Sequence, residues 1–219
     1  MKQNAMSADA KLQRRADFLA AARQLFLQHQ RLPAVADIAI ACGLAKGTVY
    51  RYFQSKEQLF LALLTADLQY LFSELEQLID QLPQPWPQAA APFASGYLKL
   101  LQQSDSLLPL LSLLNAVLEQ NLPQQQLLVF KQQLARALDT LGVKLASRFA
   151  GLSPAKASQL LLHSYALTQG LYQSVQLPEP VQALLQQQPE LHILQRDFAT
   201  ELQTAISNLW LGAMPASSG

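Results

Sequence analysis

Beyond residue 10 no stretch of this chain alternates apolar and polar residues, and that constrains the fold more than any single motif. Leucine, alanine and valine instead return every third or fourth position, the period that aligns one face of an α-helix. Phe18, Ala22, Leu25 and Phe26 make such a stripe, and Val35, Ile38, Ala39 and Cys42 make a second, shorter one. An all-α fold is therefore expected. Half of the 219 residues are hydrophobic, enough for a substantial core and too many for a disordered chain.

Punctuation residues divide the pattern. Gly43 stops the second helix, and a third short helix is expected over about 45–53. Ser55 with Gln58 forms a Ser-x-x-Gln capping box that opens a long fourth helix to about Asp80. A Pro-rich break, LPQPWPQ, follows, and further helices are predicted over 88–104, 107–120, 123–150 and 154–175. Ser153 and Pro154 supply the N-cap and first position of the 154–175 helix. Pro178, Pro180 and Pro189 predict an irregular connection, and a last helix is expected over 191–211.

Several function classes find no support. The greasiest run, Leu107–Leu118, is about 12 residues against the roughly 20 that span a bilayer, so no membrane association is expected. The N-terminus holds no apolar run of signal-peptide type. Cys42 is the lone cysteine, which rules out an internal disulfide and a multi-Cys zinc site and fits a reducing, cytoplasmic setting. His29, His163 and His192 lack metal-ligand spacing, and no Gly-rich phosphate loop, His-Glu-x-x-His or nucleophile elbow occurs. Neither metal nor cofactor is expected, and an enzyme is unsupported.

Charge is unevenly placed. Residues 1–60 hold nine lysines and arginines against four carboxylates, and the remainder holds seven against eleven. A basic head on an acidic body points to a polyanionic partner for the head alone. Two short helices joined at Ala39-x-x-x-Gly43-Leu44 and followed by Val49 fit a helix-turn-helix. On a wheel of 100° per residue, Ala45, Val49 and Phe53 fall together. Gly47, Thr48, Tyr50 and Arg51 spread over the opposite side, with Lys46 and Tyr52 on the flanks. Arginine, lysine and hydroxyls around a glycine suit a major groove.

The segments FLAAARQLF, VADIAIACGL and AKGTVYRYFQSKEQLF, between Phe18 and Phe60, resemble the DNA-binding domain of the TetR family of bacterial transcriptional regulators. The resemblance implies a three-helix helix-turn-helix head over residues 1–54 and a helical-bundle ligand-sensing and dimerisation body over 55–219. It implies that Lys46, Gly47, Thr48, Tyr50, Arg51 and Tyr52 face double-stranded operator DNA and that Lys56 holds backbone phosphate. It further implies a homodimer through helices about 154–176 and 191–211, in which Ala157, Leu161, Gly170, Phe198, Leu202, Ala205 and Leu209 are small or apolar enough to pack against a second copy. The aromatic residues of the body sit at helical spacing with leucines, the pattern of a core. By the same resemblance, Tyr97, Asn115, Phe130, Tyr165, Gln169 and Tyr172 would line an effector pocket. The implied function is repression relieved by a small apolar or aromatic effector. The match departs at Gln30-Arg31-Leu32-Pro33-Ala34, where the family carries a glycine-aromatic pair and then Thr or Ser, and Ala45 stands where Ser is common. A second reading follows from that departure: a TetR-like protein with weakened or lost sequence-specific DNA binding, acting through protein contacts.

Overall fold

A computed structural model describes residues 2–29 and 31–213, with side chains from Ala8 onward. Gln30, which begins the departure just noted, lies outside the described residues. Ten α-helices run through them: α1 (Lys2–His29), α2 (Val35–Ala41), α3 (Lys46–Tyr50), α4 (Lys56–Gln81), α5 (Trp86–Gln102), α6 (Leu107–Leu113), α7 (Gln124–Arg148), α8 (Pro154–Val175), α9 (Glu179–Gln187) and α10 (Phe198–Gly212). No strand occurs among the described residues.

The chain divides into two compact units, residues 1–69 with 105–128, and residues 70–104 with 129–219. In the first, the predicted stripes meet: Phe18, Ala22 and Phe26 of α1 are buried with Val35, Ile38 and Ala39 of α2, Val49 of α3, and Leu59 and Phe60 of α4. The Phe26 and Phe60 rings lie 5.7 Å apart. Cys42 is half-buried, its Sγ 3.8 Å from the Asp17 carbonyl, and burial raises its thiol pKa. This unit also holds a partly buried ion pair, Arg23 Nη2 to Asp67 Oδ1 at 2.5 Å. Ser106 Oγ completes it, accepting from Arg23 Nη1 at 2.8 Å and donating to Asp67 Oδ2 at 2.7 Å.

In the second unit the core is aromatic. Trp210 of α10 stacks on Phe93 at 3.6 Å and on Trp86 at 5.2 Å, both from α5. Each indole finds an acceptor, Trp86 Nε1 on the Trp210 carbonyl at 2.8 Å and Trp210 Nε1 on Ser164 Oγ of α8 at 3.1 Å. That is what a buried tryptophan requires. Gly142 of α7 lets α8 approach closely, since a Cβ there would lie 2.0 Å from Ser158 Oγ and 3.0 Å from the Pro154 carbonyl oxygen.

Three segments differ from expectation. The helix predicted over 107–120 stops at Leu113, continues as a π-turn over Leu114–Leu118 and tightens to a 3₁₀ turn over Glu119–Asn121. The Pro-rich connection after Val175 contains α9, because Pro180 falls in its first turn, where a backbone N–H has no helical partner to lose. The last helix begins at Phe198 rather than 191, with a 3₁₀ segment at Pro189–Leu194 before it. Asp197 sets that boundary, its Oδ2 accepting from the Thr200 amide at 2.8 Å and the Thr200 hydroxyl at 2.7 Å.

The faces of α8 and α10 also depart from expectation. Ala157, Leu161 and Leu202 are buried within their own chain and offer nothing to a second copy. Phe198, Ala205 and Leu209 are half-buried, and Gly170 is exposed.

Candidate nucleic-acid interface

The candidate interface is built on the turn between α2 and α3. Gly43 adopts φ +67°, the left-handed region that a Cβ disfavours. That conformation lets its amide reach the Ile40 carbonyl and the Leu44 amide reach the Ala39 carbonyl, both at 2.9 Å. These paired bonds are a Schellman ending, which satisfies the last carbonyls of α2 and redirects the chain into α3. Ala39, at 1 % exposure, is enclosed where the two helices meet.

Val49 and Phe53 then lock the next segment to the core, at 0 % and 2 % exposure. With that side buried, Lys46, Gly47, Tyr50 and Arg51 are exposed and Thr48 is half-exposed. The Lys46 ammonium sits 5.7 Å from the Tyr50 ring centroid, a cation–π contact that gathers charge and hydroxyl on one side. A Cβ on Gly47 would meet nothing within 4 Å, so no internal packing demands glycine there. Tyr52 is partly drawn into the head, its ring edge-on to Phe18 at 5.4 Å.

Two side chains fix the start of α4. Ser55 Oγ accepts from the Gln58 amide at 3.1 Å, and Gln58 Oε1 accepts from the Gln54 amide at 2.5 Å. The box closes one residue earlier than the usual form, on the amide before the N-cap. Lys56 is exposed there, within 3.9 Å of the Glu57 carboxylate. A cleft of about 560 Å³ brings Arg31, Lys46, Tyr50 and Lys56 to one side of the head. At the start of α2 only half a box remains, the Ala34 amide donating to Asp37 Oδ2 at 3.3 Å, because Ala34 has no side-chain acceptor to return the bond. Arg31 shares the cleft beside it.

The six residues named for an effector pocket do not all lie in one unit. Asn115 is exposed on the π-turn of the first unit. The other five belong to the second. Tyr97 is buried with its hydroxyl 3.2 Å from Thr168 Oγ1, and burial pushes its pKa up to about 12. Tyr165 is half-buried and accepts from Gln169 Nε2 at 3.4 Å, and the buried Gln169 Oε1 has no partner among the described residues. Tyr172 lies against Phe198 at 5.5 Å, and Phe130 is buried.

Sequence reading missed the Arg23–Asp67–Ser106 cluster. Its signal was a lone carboxylate at the face position where Leu63, Leu64, Leu68 and Leu71 are buried. No described helix is long and apolar enough to cross a membrane.

A glycine-turned helix pair that buries one side and displays a basic, hydroxyl-rich second helix defines a helix-turn-helix protein. Residues 18–63 match the family described as bacterial regulatory proteins, tetR family, and residues 65–217 match the tetracyclin repressor-like C-terminal domain. The chain belongs to the TetR family of bacterial transcriptional regulators. Solved structures share the fold. A Mesorhizobium loti protein described as a TetR-family transcriptional regulator is 17 % identical, with TM-score 0.60 over 94 % of this chain and 98 % of that one. The fatty acid degradation regulator FadR of Bacillus halodurans is 17 % identical, with TM-score 0.58 over 90 % and 94 %. FadR of Bacillus subtilis, solved in complex with stearoyl-CoA, is 17 % identical, with TM-score 0.54 over 90 % and 98 %. No curated protein sequence matched the chain.

Proposed function

We propose that this cytoplasmic regulator represses transcription by binding a palindromic operator as a homodimer, and that a small apolar or aromatic effector releases it. The observation that carries the reading is the division of α3 and its C-cap: Val49 is fully buried while Lys46, Tyr50 and the capping Arg51 remain outside. In this reading residues 1–54 bind DNA and residues 55–219 sense the effector and dimerise. Lys46, Gly47, Thr48, Tyr50, Arg51 and Tyr52 meet the major groove, and Lys56 meets phosphate. Dimerisation through α8 and α10 sets the two recognition helices about 34–36 Å apart, one turn of DNA.

Stearoyl-CoA in the Bacillus subtilis relative supports an apolar effector for the body. Helix α4 is continuous from Lys56 to Gln81 and is the covalent path by which the body would act on the head. A coupling of about 1–3 kcal/mol would weaken operator binding by about 5- to 150-fold.

The test is binding to a duplex selected by the protein from a randomised pool, for wild type, Arg51→Ala and Tyr50→Ala. Loss of affinity in either variant is expected, and full retention in both refutes the assignment of α3. A wild-type chain that selects no sequence would favour the second reading, action through protein contacts, for which the missing cap at Ala34 speaks. Light scattering at micromolar concentration checks the dimer, and mass spectrometry of co-purified molecules checks the effector class.

A further inference from the structure

Helix α1 begins well before the residues that hold it to the head. Its first buried residue is Phe18, and every described side chain from Ala8 to Ala16 is exposed. This stretch precedes the part of the head that the family model matches, which starts at residue 18. It carries Lys11, Arg14 and Arg15. The bland reading is a solvated helical extension, and for Arg15 it suffices, because its guanidinium lies 5.3 Å from the Phe53 ring centroid.

Lys11 and Arg14 are different. They sit three residues apart on one helix face and, with Arg51 and Tyr52 from the C-terminal end of the recognition segment, line a cleft of about 530 Å³. Ala10 is the remaining lining residue, so three cations converge there and no carboxylate lines the cleft. Like charges that face one cleft without an anion repel each other unless a negatively charged partner enters. Among the described residues Arg14 has one competing contact, Asp17 Oδ2 at 3.6 Å, between side chains 44 % and 39 % exposed. An exposed pair of that kind is weak and salt-screened and yields readily to a phosphate.

We infer that Lys11 and Arg14 hold the DNA backbone at the edge of the groove that Arg51 enters, so that the N-terminal extension of α1 is a second, sequence-independent contact. The inference rests on the DNA-binding reading above. It commits to duplex phosphates because Arg51 belongs to the outward set of the recognition segment, and a partner seated on Arg51 is seated at the edge of that groove.

The experiment compares wild type with Lys11→Gln/Arg14→Gln in titrations of the selected duplex and of an unrelated duplex of equal length, from 50 to 200 mM salt. Two lost phosphate contacts flatten the slope of log affinity against log salt by about 1.8 per bound head. The affinity advantage of wild type over the variant then shrinks by about 12-fold per head across that fourfold salt range. Both duplexes respond alike, and the preference for the selected one is retained. The charge-preserving Lys11→Arg/Arg14→Lys variant restores the slope, which separates lost charge from a frayed helix. Lys99→Gln, an exposed lysine of α5 in the second unit, leaves it unchanged. A slope equal to wild type in Lys11→Gln/Arg14→Gln overturns this contact while the DNA-binding reading stands. Failure of the wild-type chain to bind either duplex overturns both.

Discussion

Replacing Asp67 by alanine removes the centre of the one buried ionic cluster described for the first unit. The carboxylate is 5 % exposed and receives Arg23 at 2.5 Å and Ser106 at 2.7 Å. Breaking a buried pair by deleting one member costs about 3–5 kcal/mol, because the remaining charge stays desolvated. The Arg23 side chain is 35 % exposed and recovers some hydration, which places the expected loss near the lower end, about 3 kcal/mol. For a chain of this length that lowers the unfolding midpoint by about 6–12 °C. Ser106→Ala leaves the ion pair and removes its hydrogen bonds to Arg23 and Asp67, at about 1.5–3 kcal/mol per bond. Arg23→Met/Asp67→Leu replaces both charges with apolar groups and costs less than Asp67→Ala alone, because no guanidinium is left without its carboxylate. Thermal unfolding at one fixed protein concentration reads all four proteins, since association makes the midpoint depend on concentration. Equal midpoints for Asp67→Ala and wild type would refute the reasoning, as would a midpoint of Arg23→Met/Asp67→Leu no higher than that of Asp67→Ala.

Three further outcomes are expected. Gly142→Ala drives a Cβ to 2.0 Å from Ser158 Oγ and 3.0 Å from a backbone carbonyl, so denaturant titration should show a loss of about 1–3 kcal/mol, partly recovered with Ser158→Ala. Gly43→Ala must hold a non-glycine residue at φ +67°, costing about 1–2 kcal/mol, and should weaken DNA binding through the displaced α3. Tyr97 is held in its protonated form by burial, with a pKa of about 12 against about 10 in the unfolded chain. The folded state therefore binds that proton more tightly: its contribution is complete below about pH 10 and is lost as pH rises toward 12, by about 2–3 kcal/mol. A near-ultraviolet titration of wild type against Tyr97→Phe should lose the late-titrating phenol in the variant.

Much of the reading head was legible because its determinants are short-range. Gly43 ends α2 through its own bond three positions back and the Leu44 bond five positions back. Val49 and Phe53 are spaced to share one helical face, and burying them leaves Lys46, Tyr50 and Arg51 outside whatever else the chain does. The helix starts at Asp197 and Pro178 also lie in local chemistry. There an irregular Pro-rich reading hid α9, and apolar periodicity carried the last helix back past its cap.

By itself, then, the sequence determined the helical class, the helix-turn-helix and the outward set on α3, since a 3.6-residue period, a left-handed glycine and a capping serine act within a few residues. Tertiary structure alone decided which faces are covered. Ala157, Leu161 and Leu202 looked free for a second copy until packing within their own chain buried them. Asp67 meets Arg23, 44 positions back, and Ser106, 39 positions on, only in the folded chain. Lys11 and Arg14 became part of a cleft only when the chain brought Arg51 beside them. Burial and charge convergence belong to pairs of segments, and periodicity within one segment carries no record of its neighbour.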